Sequence, residues 1–106
     1  MPASFPKDFP QYPGARLTAA FDSTQGTTQS WIMGWQTLDS PQKVNDYMAA
    51  NLNKGDWQVS GTFSGSGSYV FTMNRRSNTK FAGTLTIGQN NQKTRTEIAL
   101  LLGNGK

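Results

Sequence analysis

The sequence predicts an α+β fold: an antiparallel sheet of about six strands with one helix packed on one face, in the chain order β-β-α-β-β-β-β. Three observations carry this. The stretch from Leu38 to Trp57 holds a near-complete set of helix start and stop signals. On both sides of it, apolar residues recur at every second position, the period of half-buried strands. Eleven glycines and five prolines in 106 residues punctuate those runs at turn-like spacings. The length suits one domain with one core, at residues 15–102.

Residues 1–14 read as a proline-rich arm. Pro2, Pro6, Pro10 and Pro13 forbid a helix and favour an extended trace. Phe5, Phe9 and Tyr12 alternate with them, and at least Phe9 and Tyr12 are expected to pack on the domain. Pro13-Gly14 marks a turn into a first strand over residues 16–22, with Leu17, Ala19 and Phe21 on one face. A polar loop around Gly26 leads to a second strand over 30–38. There Trp31, Met33 and Trp35 share one face and Ile32, Gly34, Gln36 and Leu38 the other.

The helix is predicted over 41–54. Asp39 or Ser40 can cap its N-terminus, and Pro41 suits the first turn, where its missing N–H costs nothing. Val44, Tyr47, Met48 and Leu52 form one apolar stripe. Lys54 is placed to complement the helix dipole, and Gly55 to end the helix in a left-handed conformation. A third strand starts at Trp57 and Val59 and runs to Phe63. A Ser/Gly hairpin tip over 64–68 follows, then a fourth strand with Tyr69, Phe71 and Met73. A polar, basic turn over 74–79 precedes a fifth strand containing Phe81, Gly83, Leu85 and Ile87. After a turn over 88–93, Thr94, Thr96, Ile98, Leu100 and Leu102 define a sixth, and residues 103–106 read as a disordered, frayed tail. The last four strands read as consecutive hairpins. Ala99 and Leu101 on the second face of the last strand suggest that this face is also partly covered.

Composition narrows the chemistry. With no histidine and no cysteine, the chain lacks the usual neutral-pH proton carrier, thiol nucleophiles and thiolate metal sites. The six carboxylates show no paired or metal-binding spacing. Gly65-Ser66-Gly67 sits at a hairpin tip with no helix after it, so it is no nucleophile elbow. The glycines of residues 61–67 lack the Lys-Ser/Thr of a phosphate loop. The residues therefore point to a non-enzyme without metal or cofactor, and a carboxylate-dependent hydrolase is the least supported reading. No apolar run approaches the roughly 20 residues of a membrane-spanning helix. Met1-Pro2-Ala3-Ser4 reads as an artificial start on a mature or excised domain.

Charge is uneven. Residues 1–73 hold four cations and five carboxylates; residues 74–106 hold six cations and one carboxylate, on a chain of net charge +4. Arg75, Arg76, Lys80, Lys93 and Arg95 are thus candidate contacts for an anionic partner, either nucleic acid or anionic lipid. Phe71 and Phe81 lie near them, as on single-strand-binding sheets. Their phase, however, agrees with Met73, Leu85 and Ile87, which favours core aromatics and solvated turn cations. Trp31 and Trp35 are candidate aromatic anchors for a partner, with core burial as the simpler alternative.

Tyr12-Pro13-Gly14-Ala15, Ser40-Pro41, Tyr47 with Leu52, and Gly55-Asp56-Trp57 stand in an order that resembles a group of small bacterial domains, often exported or carried on lipoproteins. Members share a Tyr-Pro-Gly-Ala lead-in, a strand pair, a Ser-Pro-led helix and a Gly-Trp or Gly-x-Trp exit. The group has no assigned activity, so the resemblance implies no site residues. It implies an extracytoplasmic location, periplasmic or membrane-tethered. The resulting expectation is a non-catalytic binding or accessory domain with an unidentified protein partner, and an anion-binding module is the alternative.

Overall fold

A computed structural model describes residues 5–65, 67–89 and 95–104. Six strands form one antiparallel sheet: β1 (Arg16–Gln25), β2 (Thr28–Thr37), β3 (Trp57–Gly65), β4 (Ser68–Arg75), β5 (Ala82–Gln89) and β6 (Thr96–Gly103). One helix, α1 (Pro41–Asn51), follows β2. The expected chain order of elements is present, but chain order is not the order across the sheet. That order is β1-β2-β6-β5-β4-β3, so the β1–β2 hairpin docks on β6 and the outer strands are β1 and β3.

Ser40 is the N-cap: its Oγ accepts from the Lys43 N–H at 3.2 Å, and Pro41 opens the first turn. Tyr12 and Thr96 anchor this end. The Tyr12 hydroxyl donates to Asp39 Oδ2 at 2.6 Å, and the Thr96 hydroxyl donates to the Asp39 carbonyl at 2.6 Å. The helix stops three residues short of the predicted end at Lys54. Leu52 is the C-cap, its N–H donating to the Met48 carbonyl, while the Asn51 side chain donates to the Tyr47 carbonyl. Lys54 therefore lies beyond the last turn, where the dipole has faded. Gly55 does adopt positive φ, 59°, but in the loop to β3.

One face of the sheet carries the core: Trp31, Met33 and Trp35 of β2, Ile98, Leu100 and Leu102 of β6, Leu85 and Ile87 of β5, Phe71 and Met73 of β4, and Trp57 of β3. The helix lies over β5 and β4 and buries Val44, Met48 and Leu52 there. The arm covers much of the rest. Phe5 meets Trp31 edge-on at 6.2 Å and lies 6.4 Å from Trp35. Phe9 meets Trp57 edge-on at 5.5 Å, and Tyr12 meets Tyr47 at 5.3 Å. All three arm aromatics are buried. Gly83 of β5 faces the same core and tolerates no side chain: a Cβ there would meet the Leu101 carbonyl oxygen and Leu102 Cδ1.

Two irregularities reset the alternation. The β1–β2 register shifts between Leu17 and Ala19, and the β3–β4 register shifts between Val59 and Gly61. A bulge inserts one unpaired residue and reverses which side chains face the core beyond it. Leu17 and Ala20 consequently face the core, whereas Ala19 and Phe21 face the other side, a correction to the uniform alternation expected of residues 16–22. Phe63 likewise turns away from the core. Of the expected tail, Gly103 is the last residue of β6 and Asn104 exchanges two hydrogen bonds with Gln29 at 2.6 and 2.9 Å, while 105–106 lie outside the described residues.

Because Phe9 is buried against Trp57 and Phe21 is 64% exposed, the two phenylalanines separate the faces energetically. In urea unfolding, Phe9→Ala is expected to cost about 3–5 kcal/mol, and Phe21→Ala to stay within about 0.5 kcal/mol of the parent.

Candidate functional site

Arg75 and Arg76 do not project from a hairpin tip. Arg75 is the last residue of β4, paired with Trp57, and continues the core-facing phase of Phe71 and Met73. Its guanidinium lies 4.3 Å from the Trp57 ring centroid and 4.8 Å from that of Phe81. Asp8 of the arm receives two bonds from it, Nη1 to Oδ2 at 2.8 Å and Nη2 to Oδ1 at 2.9 Å. Asp56 receives a third from Nη1 at 3.2 Å. This bidentate, aromatic-backed arrangement is one that arginine makes and lysine cannot. Asp56 also accepts from the Ser77 N–H at 2.9 Å and the Ser77 hydroxyl at 2.6 Å. Arg76 stitches the same region through Nε to the Gly55 carbonyl at 3.0 Å and Nη2 to Asn53 Oδ1 at 3.1 Å. The pair expected to bind an anion thus joins the arm, the helix–β3 loop and the β4–β5 turn.

Of the remaining described candidates, one shares the turn with this pair and the other lies at the far end of β5. Lys80 is exposed in the β4–β5 turn, and Arg95 is exposed just before β6. Lys93 lies outside the described residues. Trp31 is 2% and Trp35 5% exposed, so neither is a surface anchor. Trp31 stacks on Phe81 at 5.7 Å, under the arm. The Trp57 indole N–H is buried without a well-formed hydrogen bond, yet lies near enough to Asp8 to be the smallest of the influences holding its charge.

The two carboxylates beside Arg75 are both held below the ordinary value of 3.8. Asp8 is lowered chiefly by its hydrogen bonds from Arg75, and Asp56 chiefly by those from Ser77. Neither is poised to carry a proton near neutral pH, which a glycosidase-like acid requires. In contrast, the Tyr12 phenol is pushed up to about 12, by burial first and then by its bond to Asp39. Among the described residues, no group of three acidic, histidine or cysteine side chains gathers as a metal site.

The opposite face of the sheet has a different character. Two cross-strand rows run over its centre. One passes through Phe21, Ile32, Leu101, Thr84, Thr72 and Gly61; the other through Ala19, Gly34, Ala99, Thr86, Val70 and Phe63. Neither row contains a charge. Phe21 is 64% exposed, Ile32 54%, Leu101 58% and Phe63 69%. A shallow trough of about 440 Å3, lined by Ile32, Thr84, Thr86, Ala99 and Leu101, lies between the two phenylalanines. At one margin Arg16, Gln36 and Glu97 form a ladder: Arg16 donates to Gln36 at 3.4 Å, and Gln36 donates to Glu97 at 3.3 Å. Among the described residues, the second face expected from Ala99 and Leu101 to be partly covered is therefore open.

Sequence reading placed Ile32 and Leu101 on this face by their phase. It missed Phe21 and Phe63, because the bulges that turn them outward have no compositional mark. It also missed Asp8 and Asp56 as the partners of Arg75; the only local hint was the Phe71, Met73, Arg75 phase. No family model, curated protein or solved structure matches the chain.

The Arg75 node has a pH signature. Asp8 and Asp56 have folded values lowered from 3.8, so their stabilisation is fully present above that value and is lost as pH falls through it. Arg75→Met is expected to lower stability by roughly 1–3 kcal/mol at neutral pH. Urea midpoints followed down to about pH 3 should fall less steeply for Arg75→Met than for the parent.

Proposed function

We propose that this chain is a non-catalytic binding or accessory domain that docks a protein partner on the open face of its sheet, and that it works outside the cytoplasm. The observation that supports docking is the pair of uncharged central rows, which leave four large hydrophobic side chains more than half exposed on one surface. Single exposed apolar residues are ordinary, but a contiguous apolar patch marks an interaction surface. On the covered face, the large aromatic side chains among the described residues are taken up by contacts with the arm and the helix. The extracytoplasmic location rests on the resemblance of the Tyr-Pro-Gly-Ala lead-in, Ser-Pro helix start and Gly-x-Trp exit to exported bacterial domains.

The anion-binding reading loses support because Arg75 is ion-paired and Arg76 is hydrogen-bonded to backbone and side-chain oxygens. The hydrolase reading loses support because the two carboxylates that share a partner, Asp8 and Asp56, grip an arginine and are held ionised.

Ile32→Lys and Leu101→Lys place a charge in the central row without touching the core. Each is expected to weaken capture of the partner from a native envelope extract by about 2 kcal/mol, roughly thirty-fold. Arg76→Gln, beyond the end of β4 and outside the two central rows, should bind like the parent. Equal capture by all four proteins would contradict docking on this face.

A further inference from the structure

The outer strand β3 is bare beyond its register shift. Residues 62–65 are all exposed, and every second residue of an outer antiparallel strand aims both its N–H and its C=O away from the sheet. Near the start of β3 the Val59 N–H donates to Asn53 Oδ1 at 3.2 Å. Among the described residues, no side chain or loop takes the outward groups of residues 62–65. Outer strands are commonly protected from further pairing by a charge or a proline. β1 carries Arg16 and Asp22, whereas β3 holds neither charge nor proline.

A cleft of about 310 Å3 lies beside this edge, where the cover over the core ends. Thr62 and Ser64 pair with Phe71 and Tyr69 and share their face, while Asn45 and Ala49, one turn apart on α1, form the opposite wall. The helix lies over β4 and β5, and Phe9 covers the Trp57 end of β3, so neither fills the cleft. No charged residue lines it. Among the described residues, the side chains of Asn45, Thr62, Ser64 and Tyr69 make no hydrogen bond, which leaves them free for an incoming backbone.

We infer that β3 accepts a further strand from another protein: an extended, uncharged segment pairs along residues 61–65 and places an apolar side chain in the cleft between Ala49 and Tyr69. Strand addition draws affinity from main-chain hydrogen bonds and specificity from pockets for alternate side chains. The bare edge supplies the first and the cleft the second. The segment's intervening side chains emerge beside Phe63 on the open face, so its apolar residues recur at every second position. A charged side chain is disfavoured in the cleft, whose lining offers it no opposite charge. This edge is distinct from the centre of the open face, where Ile32 and Leu101 lie.

Fluorescence anisotropy of a dye-labelled peptide titrated with the full chain tests this. The peptide copies residues 68–75, the strand that β3 already accepts on its inner edge. It should bind. Methylating its backbone nitrogens at the tyrosine and phenylalanine, or instead at the valine and first threonine, should abolish binding for one set and spare it for the other, because an added antiparallel strand bonds through alternate residues. Ala49→Trp fills the cleft from the exposed side of the helix, and Ser64→Lys charges the exposed edge. Each should weaken binding about tenfold or more, with a thermal midpoint near that of the parent. Ile32→Lys should bind the peptide like the parent even where it loses the partner of the open face, so the two surfaces fail separately. No binding at about 1 mM chain overturns the added strand. Equal binding of both methylated sets overturns it by assigning the cleft to a compact ligand that ignores the edge. Binding that survives both Ala49→Trp and Ser64→Lys overturns it by placing the contact elsewhere. A chain that sediments as two copies until Ser64→Lys is introduced overturns the outside partner by giving the edge to a second copy.

Discussion

A six-stranded sheet is too wide for one helix to cover. Strands about 4.8 Å apart put roughly 24 Å between β1 and β3, whereas a helix with its side chains is about 10–12 Å across. The helix lies over β4 and β5, which would leave Trp31 and Trp35 near one side and Trp57 near the other facing water. The arm resolves this by inserting Phe5 and Phe9 against those rings. Its hold depends on Arg75, which receives Asp8 from the arm and Asp56 from the helix–β3 loop while lying over Trp57 and Phe81. One side chain thereby links the two pieces of cover to the sheet they protect.

This arrangement gives the basic character of the last third a structural meaning. Arg75 and Arg76 look like a cationic site because their partners are far away in the sequence: Asp8 is 67 residues distant, and Asn53 is 23 residues from Arg76. Arg75 is ion-paired and Arg76 hydrogen-bonded, and together they tie loops to one another. The functional question moves to the face that neither arm nor helix reaches. There the central rows carry no charge and leave Phe21, Ile32, Phe63 and Leu101 more than half exposed.

What could be read from the residues was local. Ser40-Pro41 and the Val44, Met48, Leu52 stripe located the helix. Alternation located each strand, and aromatics among prolines marked the arm as packed. What could not be read was non-local or unmarked. Nothing in residues 96–103 says that they pair with β2 as well as β5. The bulges at Thr18 and Ser60 add one residue each to ordinary strand sequences, yet they decide that Phe21 and Phe63 face outward. Strand endings mattered equally: treating Arg75 as a turn residue hid its place on the core face, although its phase with Met73 was visible. The same loss of phase concealed Phe21 and Phe63, half of the exposed hydrophobic side chains on the open face.

The central claim is that arm and helix together seal one face of the sheet and leave the other open. Carbene footprinting of the full chain at low concentration, read residue by residue, tests it most directly. The account predicts heavy labelling of Phe21, Ile32, Phe63 and Leu101, and little labelling of Phe5, Phe9, Trp31, Trp35 and Trp57. Tryptophans labelled as heavily as the open-face residues would mean that the arm does not cover them, and would contradict it.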